Sequence, residues 1–262
     1  MAAIDPMVRA RKSPEGRMDS NSQGPYRLLD TITALFVTVL LTSNIASAAK
    51  IVDLRISIVS FPLAFDGGTF LFPLSYIFGD VLTEVYGYRR SRRVIWTGFG
   101  CAALMSLTFF ILGKLPGEVS WEQTAGQEAY DRILGSVGNG AIIVASLSAY
   151  WAGEFSNSYV LAKMKIMTQG RWLWTRTIGS TLVGEGIDTV LFVGIATLLG
   201  VFPVAAMWSI LVANYVFKVG VEAAMTPVTY RLCAFLKRIE GADAYDHDTS
   251  FNPFTLELGT SR

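Results

Sequence analysis

Seven ionisable side chains stand where ionisable side chains are expensive. Asp80, Glu84, Glu154, Glu185, Asp188, Lys218 and Glu222 all lie inside long apolar stretches of the chain. An Asp or Lys at the centre of a bilayer costs roughly 2.5 to 3.5 kcal/mol on the lenient insertion scale, so the set carries a penalty on the order of 20 kcal/mol that something must offset. Spacing indicates how. Asp80 and Glu84, and Lys218 and Glu222, are four apart, and Glu185 and Asp188 are three apart, so each pair shares one helix face. The faces extend by the same rule through Tyr76 to Asp80, Thr181 to Glu185, Asn214 to Lys218, and along Tyr150, Glu154 and Asn157. Glu185, Asp188 and Lys218 fall near the middle of their segments, with Asp80, Glu154 and Glu222 displaced toward one side. Polar faces at matching depth on four helices are expected to turn toward one another around a shared cavity. One lysine cannot neutralise six carboxylates, so protons, hydrogen bonds or water must meet the others. Lys218 and Glu222 could satisfy each other within their helix, whereas Glu185 and Asp188 have no cation on theirs. Ligand chemistry is therefore expected at Glu185 and Asp188. The bland alternative is that these groups tie helices together, and it is strongest for Glu84, at the end of its segment.

Elements long enough to hold such faces must come from the apolar blocks. Of the 262 residues 52% are hydrophobic and only 16% charged, with a mean hydropathy of +0.42, which argues against an ordinary water-soluble domain. Residues 28 to 49 form the first block long enough to cross a hydrocarbon core of roughly 30 Å. Ala46-Ser47-Ala48 resembles a signal-peptide cleavage site, but the block is long and further spans follow it. Further spans are expected at 70 to 87, 94 to 112, 138 to 161, 178 to 199 and 204 to 235, with a kink at Pro227. Residues 51 to 65 are too short to span and read as a re-entrant or interfacial segment. The fold expected is an all-α polytopic membrane bundle of six transmembrane helices, 28 to 238. It lies between a disordered tail, 1 to 27, and a polar C-terminal tail, 239 to 262.

Lys and Arg collect in alternate connections: Arg9, Arg11, Lys12, Arg17 and Arg27 in the N-terminal tail, Arg89, Arg90, Arg92 and Arg93 after span two, Lys163, Lys165, Arg171 and Arg176 after span four, and Arg231, Lys237 and Arg238 at the end of span six. By the positive-inside rule both termini are expected to be cytoplasmic, with the acidic stretch from Glu118 to Asp131 on the other side. Trp96, Trp121, Trp151, Trp172, Trp174 and Trp208 lie mostly near span ends, as an interfacial belt would. The net charge of +1 gives no basic field for nucleic acid. Cys101 and Cys233 have no ligand spacing, His247 lies in the C-terminal tail, and neither HExxH, a P-loop nor a G-x-S-x-G elbow occurs. No cofactor or metal is expected, and an enzyme is disfavoured. The one enzymatic alternative is an intramembrane hydrolase pairing Asp80 with Asp188.

At the level of whole segments the chain resembles the queuosine precursor transporters of the vitamin uptake transporter group. The resemblance is carried by Ser43-Asn44 with Lys50, by FPLSYIFGDVLTEVYG from Phe72 to Gly87 and the Arg-rich turn after it, by STLVGEGIDTVLF from Ser180 to Phe192, and by NYVFKVGVEAAMTPVTY from Asn214 to Tyr230. It implies six spans in a bacterial inner membrane and import of 7-cyano- or 7-aminomethyl-7-deazaguanine for queuosine salvage into tRNA. Asp80, Glu84, Glu185, Asp188, Lys218 and Glu222 fall on the family's polar pattern, while Glu154 and Asn157 stand where relatives carry an amide and an acid. Such a base presents two adjacent N–H donors that one carboxylate can accept, and a flat face for stacking. Asp188 or Glu185 would take that edge, Tyr76 or Phe72 the face and Asn214 the carbonyl, with Asp80 and Glu154 completing the site. Glu84, Lys218, Glu222, Asn44 and Asn157 form the supporting network, with Lys218 orienting the acids through Glu222. The partners expected are this small purine-like substrate, the bilayer and, in an assembly, a second copy of the chain. Two other readings are a substrate-binding subunit of an energy-coupling-factor importer and a structural membrane protein that tolerates neutral substitutions at its acids.

Overall fold

The computed structural model describes residues 26–58 and 61–255. The expected disordered tail, apart from Tyr26 and Arg27, lies outside the described residues, as do the last seven residues and the side chain of Phe72.

The described chain contains six long helices. Helix α1 covers Leu29–Ala49, and α2, at Phe72–Tyr86, is the shortest of them. Helix α3 covers Tyr88–Leu112, and two short helices, α4 at Val119–Thr124 and α5 at Gly126–Ile133, fill the acidic connection. Then come α6 at Gly140–Met167, α7 at Leu173–Leu198 and α8 at Met207–Glu240. The start of the described chain is tied to the end of α8, where Glu240 accepts the backbone N–H groups of Arg27 and Leu28 at 2.8 Å each. Four segments, α1, α3, α7 and the stretch Val204–Glu240, are long and apolar enough to cross a membrane. Helix α2, with 15 residues, reaches about 22 Å at 1.5 Å per residue. The 28 residues of α6 are long enough, but Glu154, Asn157 and several serines dilute its apolarity.

Three departures from the sequence reading bear on the site. The segment expected to be re-entrant or interfacial is a two-stranded antiparallel hairpin, β1 at Ile51–Ile58 and β2 at Phe61–Asp66, paired from Ile51 opposite Asp66 to Ile58 opposite Phe61 with a shift of register between Asp53 and Ser57. Its β-branched Ile51, Val52, Ile56 and Ile58 favour extended backbone, so the architecture is a helical bundle with one small hairpin. The arginine-rich turn is not a loop. Gly87, at φ +83°, reverses the chain in one residue, and Arg89 to Arg93 already belong to α3. Helix α7 starts five residues earlier than expected, behind a left-handed Trp172, and so brings Arg176 inside the bundle.

Helices α6 and α7 make the closest packing. A Cβ at Gly184 would stand 2.6 Å from the Asn157 Cβ, and one at Gly153 would stand 2.8 Å from the Asp188 Cβ. Small residues let the backbones approach where lipid offers no hydrophobic drive for association. Gly184→Ala is expected to push the two helices apart and destabilise the bundle by about 1–3 kcal/mol, read as a lower unfolding temperature of purified protein in detergent. A wild-type temperature would mean that the contact is looser than it looks.

The apolar core lies toward the arginine-rich end. Phe36, Ile77, Val81, Leu82, Val85, Tyr86, Cys233 and Leu236 are buried there, drawn from α1, α2 and α8. Large apolar side chains on the outer faces, such as Val212, Val216 and Phe217 of α8, are exposed, as lipid contact requires. Trp172, Trp174 and Trp208 are exposed near helix ends, as a belt would place them. Trp96 and Trp151 instead pack on Phe155 and on Phe254 of the C-terminal tail.

Candidate functional site

A cavity of about 400 Å³ opens inside the bundle, lined by α1, α2, α3, α6, α7 and α8. That size lies within the roughly 300–1,000 Å³ usual for small-molecule sites. The sequence-predicted residues Tyr76, Glu154, Glu185, Asp188 and Asn214 all line it, as do Lys218, Glu222, Asn44 and Asn157. Ser43, Ser75, Ser106 and Ser146 add hydroxyls, and Leu40, Met105, Leu147 and Phe192 supply apolar wall. The upper end reaches Ser136 and Val137 beyond α5, and Ser136 and Ile142 also line a second hollow against the end of α3.

The electrostatics are organised by Lys218, though not as in-helix spacing suggested. Its Nζ reaches across from α8 to α7, hydrogen-bonding Asp188 and lying 3.0 Å from Glu185 Oε2. Glu222, the i+4 partner expected, instead lies beside Thr181 of α7. Two positions on one helix face can touch, but they do so only when no better partner stands on the neighbouring helix. Three buried polar atoms of lining residues have no hydrogen-bond partner among the described residues: Glu185 Oε2, Asn157 Oδ1 and Thr189 Oγ1. Of these, Glu185 Oε2 is not bare, since the Lys218 ammonium stands 3.0 Å away and pairs its charge. Buried polar atoms left open are unusual in proteins, and these belong to residues that line the cavity.

Asp80 and Glu84 do not line the cavity. Asp80 is 1% exposed and lies behind Asn157, whose Nδ2 approaches it at 3.4 Å. Glu84, a turn further on, is fully buried in a separate charged knot at the arginine-rich end. Arg176 grips it with two parallel bonds of 2.8 Å, Lys237 donates to it at 2.5 Å, and Lys165 stands 3.6 Å away. Lys165 also donates to the backbone carbonyls of Glu84 and Ala244 at 2.6 and 2.7 Å and to Asp243, which pairs with Lys237 at 2.9 Å. Half-burial acts to raise the Asp243 carboxyl, but hydrogen bonds and charge from Lys165 and Lys237 outweigh it and hold the group below its ordinary range. Sequence reasoning counted Lys165 and Arg176 as loop cations, whereas both are 1% exposed. One signal was available for Lys165: it lies seven residues after Ser158 and eleven after Glu154, on the polar stripe of α6.

A family model described as putative vitamin uptake transporter matches residues 66–232, most of the chain, leaving Ser43, Asn44 and Lys50 outside its match. A protein of Bacillus subtilis (strain 168) named probable queuosine precursor transporter is 30% identical over 164 residues, 62% of this chain and 69% of the relative. The queuosine precursor transporter of Escherichia coli (strain K12) is 26% identical over 171 residues, 65% of this chain and 69% of that protein. No solved structure matches the chain significantly.

Proposed function

The chain belongs to the putative vitamin uptake transporter family, and on that premise we propose that it imports queuosine precursors across a bacterial inner membrane. It is a multi-pass membrane transporter and not an enzyme. The substrates proposed are 7-cyano- and 7-aminomethyl-7-deazaguanine, the class that the relatives' names suggest. All six long helices would cross the bilayer, α2 completing its crossing with the hairpin. The arginine-rich end, with both termini, would be cytoplasmic.

One observation carries the substrate reading: the carboxylates of Glu154, Glu185 and Asp188 and the Asn157 amide belong to residues lining a common cavity of the right size. Adjacent N–H donors on the pairing edge of a deazaguanine are what such a carboxylate accepts. Asp188 and Glu185 would take that edge, Tyr76 the ring face and Asn214 the carbonyl. Glu154 would receive an aminomethyl cation, and Asp80 would act from behind Asn157. Lys218 holds the two acids in place until the substrate competes for them, so binding exchanges one set of charge-assisted bonds for another and leaves no acid bare. The mouth at Ser136 and Ile142 would admit the substrate from the outer side.

The test is salvage. Cells unable to make the base and lacking their own importer are given this gene and a low concentration of 7-aminomethyl-7-deazaguanine. Queuosine is expected in their tRNA. Its absence, with the protein shown to be in the membrane, would overturn the substrate assignment.

A further inference from the structure

The cavity is sealed at the arginine-rich end, and the seal has an unusual composition. Beneath Asp80 lie Val81 and Val85, both 0% exposed, and Cys233 at 1%. Beneath these lies the Glu84 knot, which takes one side chain from each of four helices: Glu84 from α2, Lys165 from α6, Arg176 from α7 and Lys237 from α8. Those helices also carry most of the cavity's polar lining, and they would have to part for the cavity to open at this end. The fifth member, Asp243, comes from outside the bundle.

The C-terminal tail that supplies Asp243 is fastened along the same end. Gly241 closes α8 in a left-handed conformation, and the Ala244 N–H donates to the Val85 carbonyl at 3.3 Å. Asp246 accepts the Tyr88 N–H at 2.9 Å. The Tyr88 hydroxyl, Arg92 and Trp96 then donate to the carbonyls of Phe251, Ser250 and Asn252, and Pro253, in that order. What reads as a polar tail is a strap across α2, α3 and α6.

A permanent tie between helices gains little from charge, because well-packed apolar side chains usually do as well or better than a buried ion network. A seal that must open differs, since charged groups recover their solvation when water enters, whereas separated apolar surfaces do not. Resting on the transport reading above, we propose that the Glu84 knot and the Asp243 strap form the inner gate, broken and remade in each transport cycle. Asp243 is the release point: its side chain is 42% exposed, so water reaches it first, and without it Lys165 and Lys237 share the one carboxylate of Glu84.

Cys233, buried between the cavity and the knot, reports the gate's state. In the full-length chain with Cys101→Ser, modification of Cys233 by N-ethylmaleimide is followed in lipid nanodiscs without any substrate, so that the outcome is independent of what is carried. Wild-type Asp243 is expected to protect the thiol, and Asp243→Asn to speed its modification about tenfold at an unchanged unfolding temperature, the scale of losing one charge-assisted bond. Asp243→Glu is expected to restore protection. An unchanged rate in Asp243→Asn, or a rise that tracks a lowered unfolding temperature, would overturn the gate and leave the knot a structural tie.

Discussion

Asp188→Asn is expected to lower uptake of 7-aminomethyl-7-deazaguanine by at least about a hundredfold while leaving membrane insertion and monodispersity intact. The physics lies in what the amide offers in place of the carboxylate. Asp188 accepts a hydrogen bond from Lys218 Nζ and faces the cavity, and asparagine keeps its shape with half its acceptor capacity and none of its charge. Charge-assisted bonds contribute roughly 1.5–3 kcal/mol each, and the variant loses one to Lys218 and weakens a second to the substrate. Glu185 still pairs with the lysine, 3.0 Å away, which is why the bundle should survive the change. Ordinary uptake by Asp188→Asn would remove this residue from the site.

The second large effect concerns stability. Removing one member of a buried ion network costs roughly 3–5 kcal/mol, because the remaining charges stay buried without compensation. Glu84→Ala strands Arg176 and Lys165, each 1% exposed, and is expected to abolish accumulation of folded protein in the membrane. Replacing its four helix-borne members together by Glu84→Met, Lys165→Met, Arg176→Leu and Lys237→Met should restore folding, since apolar packing can take the place of a satisfied network and Asp243, 42% exposed, is left to water. That fourfold variant is expected to be stable and inactive, with its inner end closed. Size-exclusion profiles and uptake of the two variants check the pair. Normal accumulation of Glu84→Ala would show that water already reaches the knot.

Much of this arrangement was legible before any coordinates. Six helical segments followed from the length of the apolar blocks, and Glu185, Asp188, Asn214 and Glu154 were placed on one cavity because acids at matching depth in lipid have nowhere else to face. Depth and face, however, do not name the partner. In-helix spacing joined Lys218 to Glu222, while the neighbouring helix offered Lys218 two acids at once. Asp80 shares a face with Tyr76 but lies a turn deeper, behind Asn157. Arg176 and Lys165 looked like loop cations because α6 and α7 run further than their apolar cores, and helix ends are where composition says least. The strap was illegible for a different reason: its carbonyls carry no sequence signal, and the donors that hold them, Tyr88, Arg92 and Trp96, read as a charged turn and an interfacial anchor.

In the proposed site, carboxylates facing the cavity accept paired N–H donors from a flat base. Equilibrium binding to the purified chain measures this directly when 7-aminomethyl-7-deazaguanine is compared with the analogue lacking only the exocyclic 2-amino group. Loss of one donor opposite a buried carboxylate should weaken binding at least about tenfold in the wild type, and Asp188→Asn or Glu185→Gln should erase most of that difference. Equal affinity for the two ligands in the wild-type protein would contradict the claim.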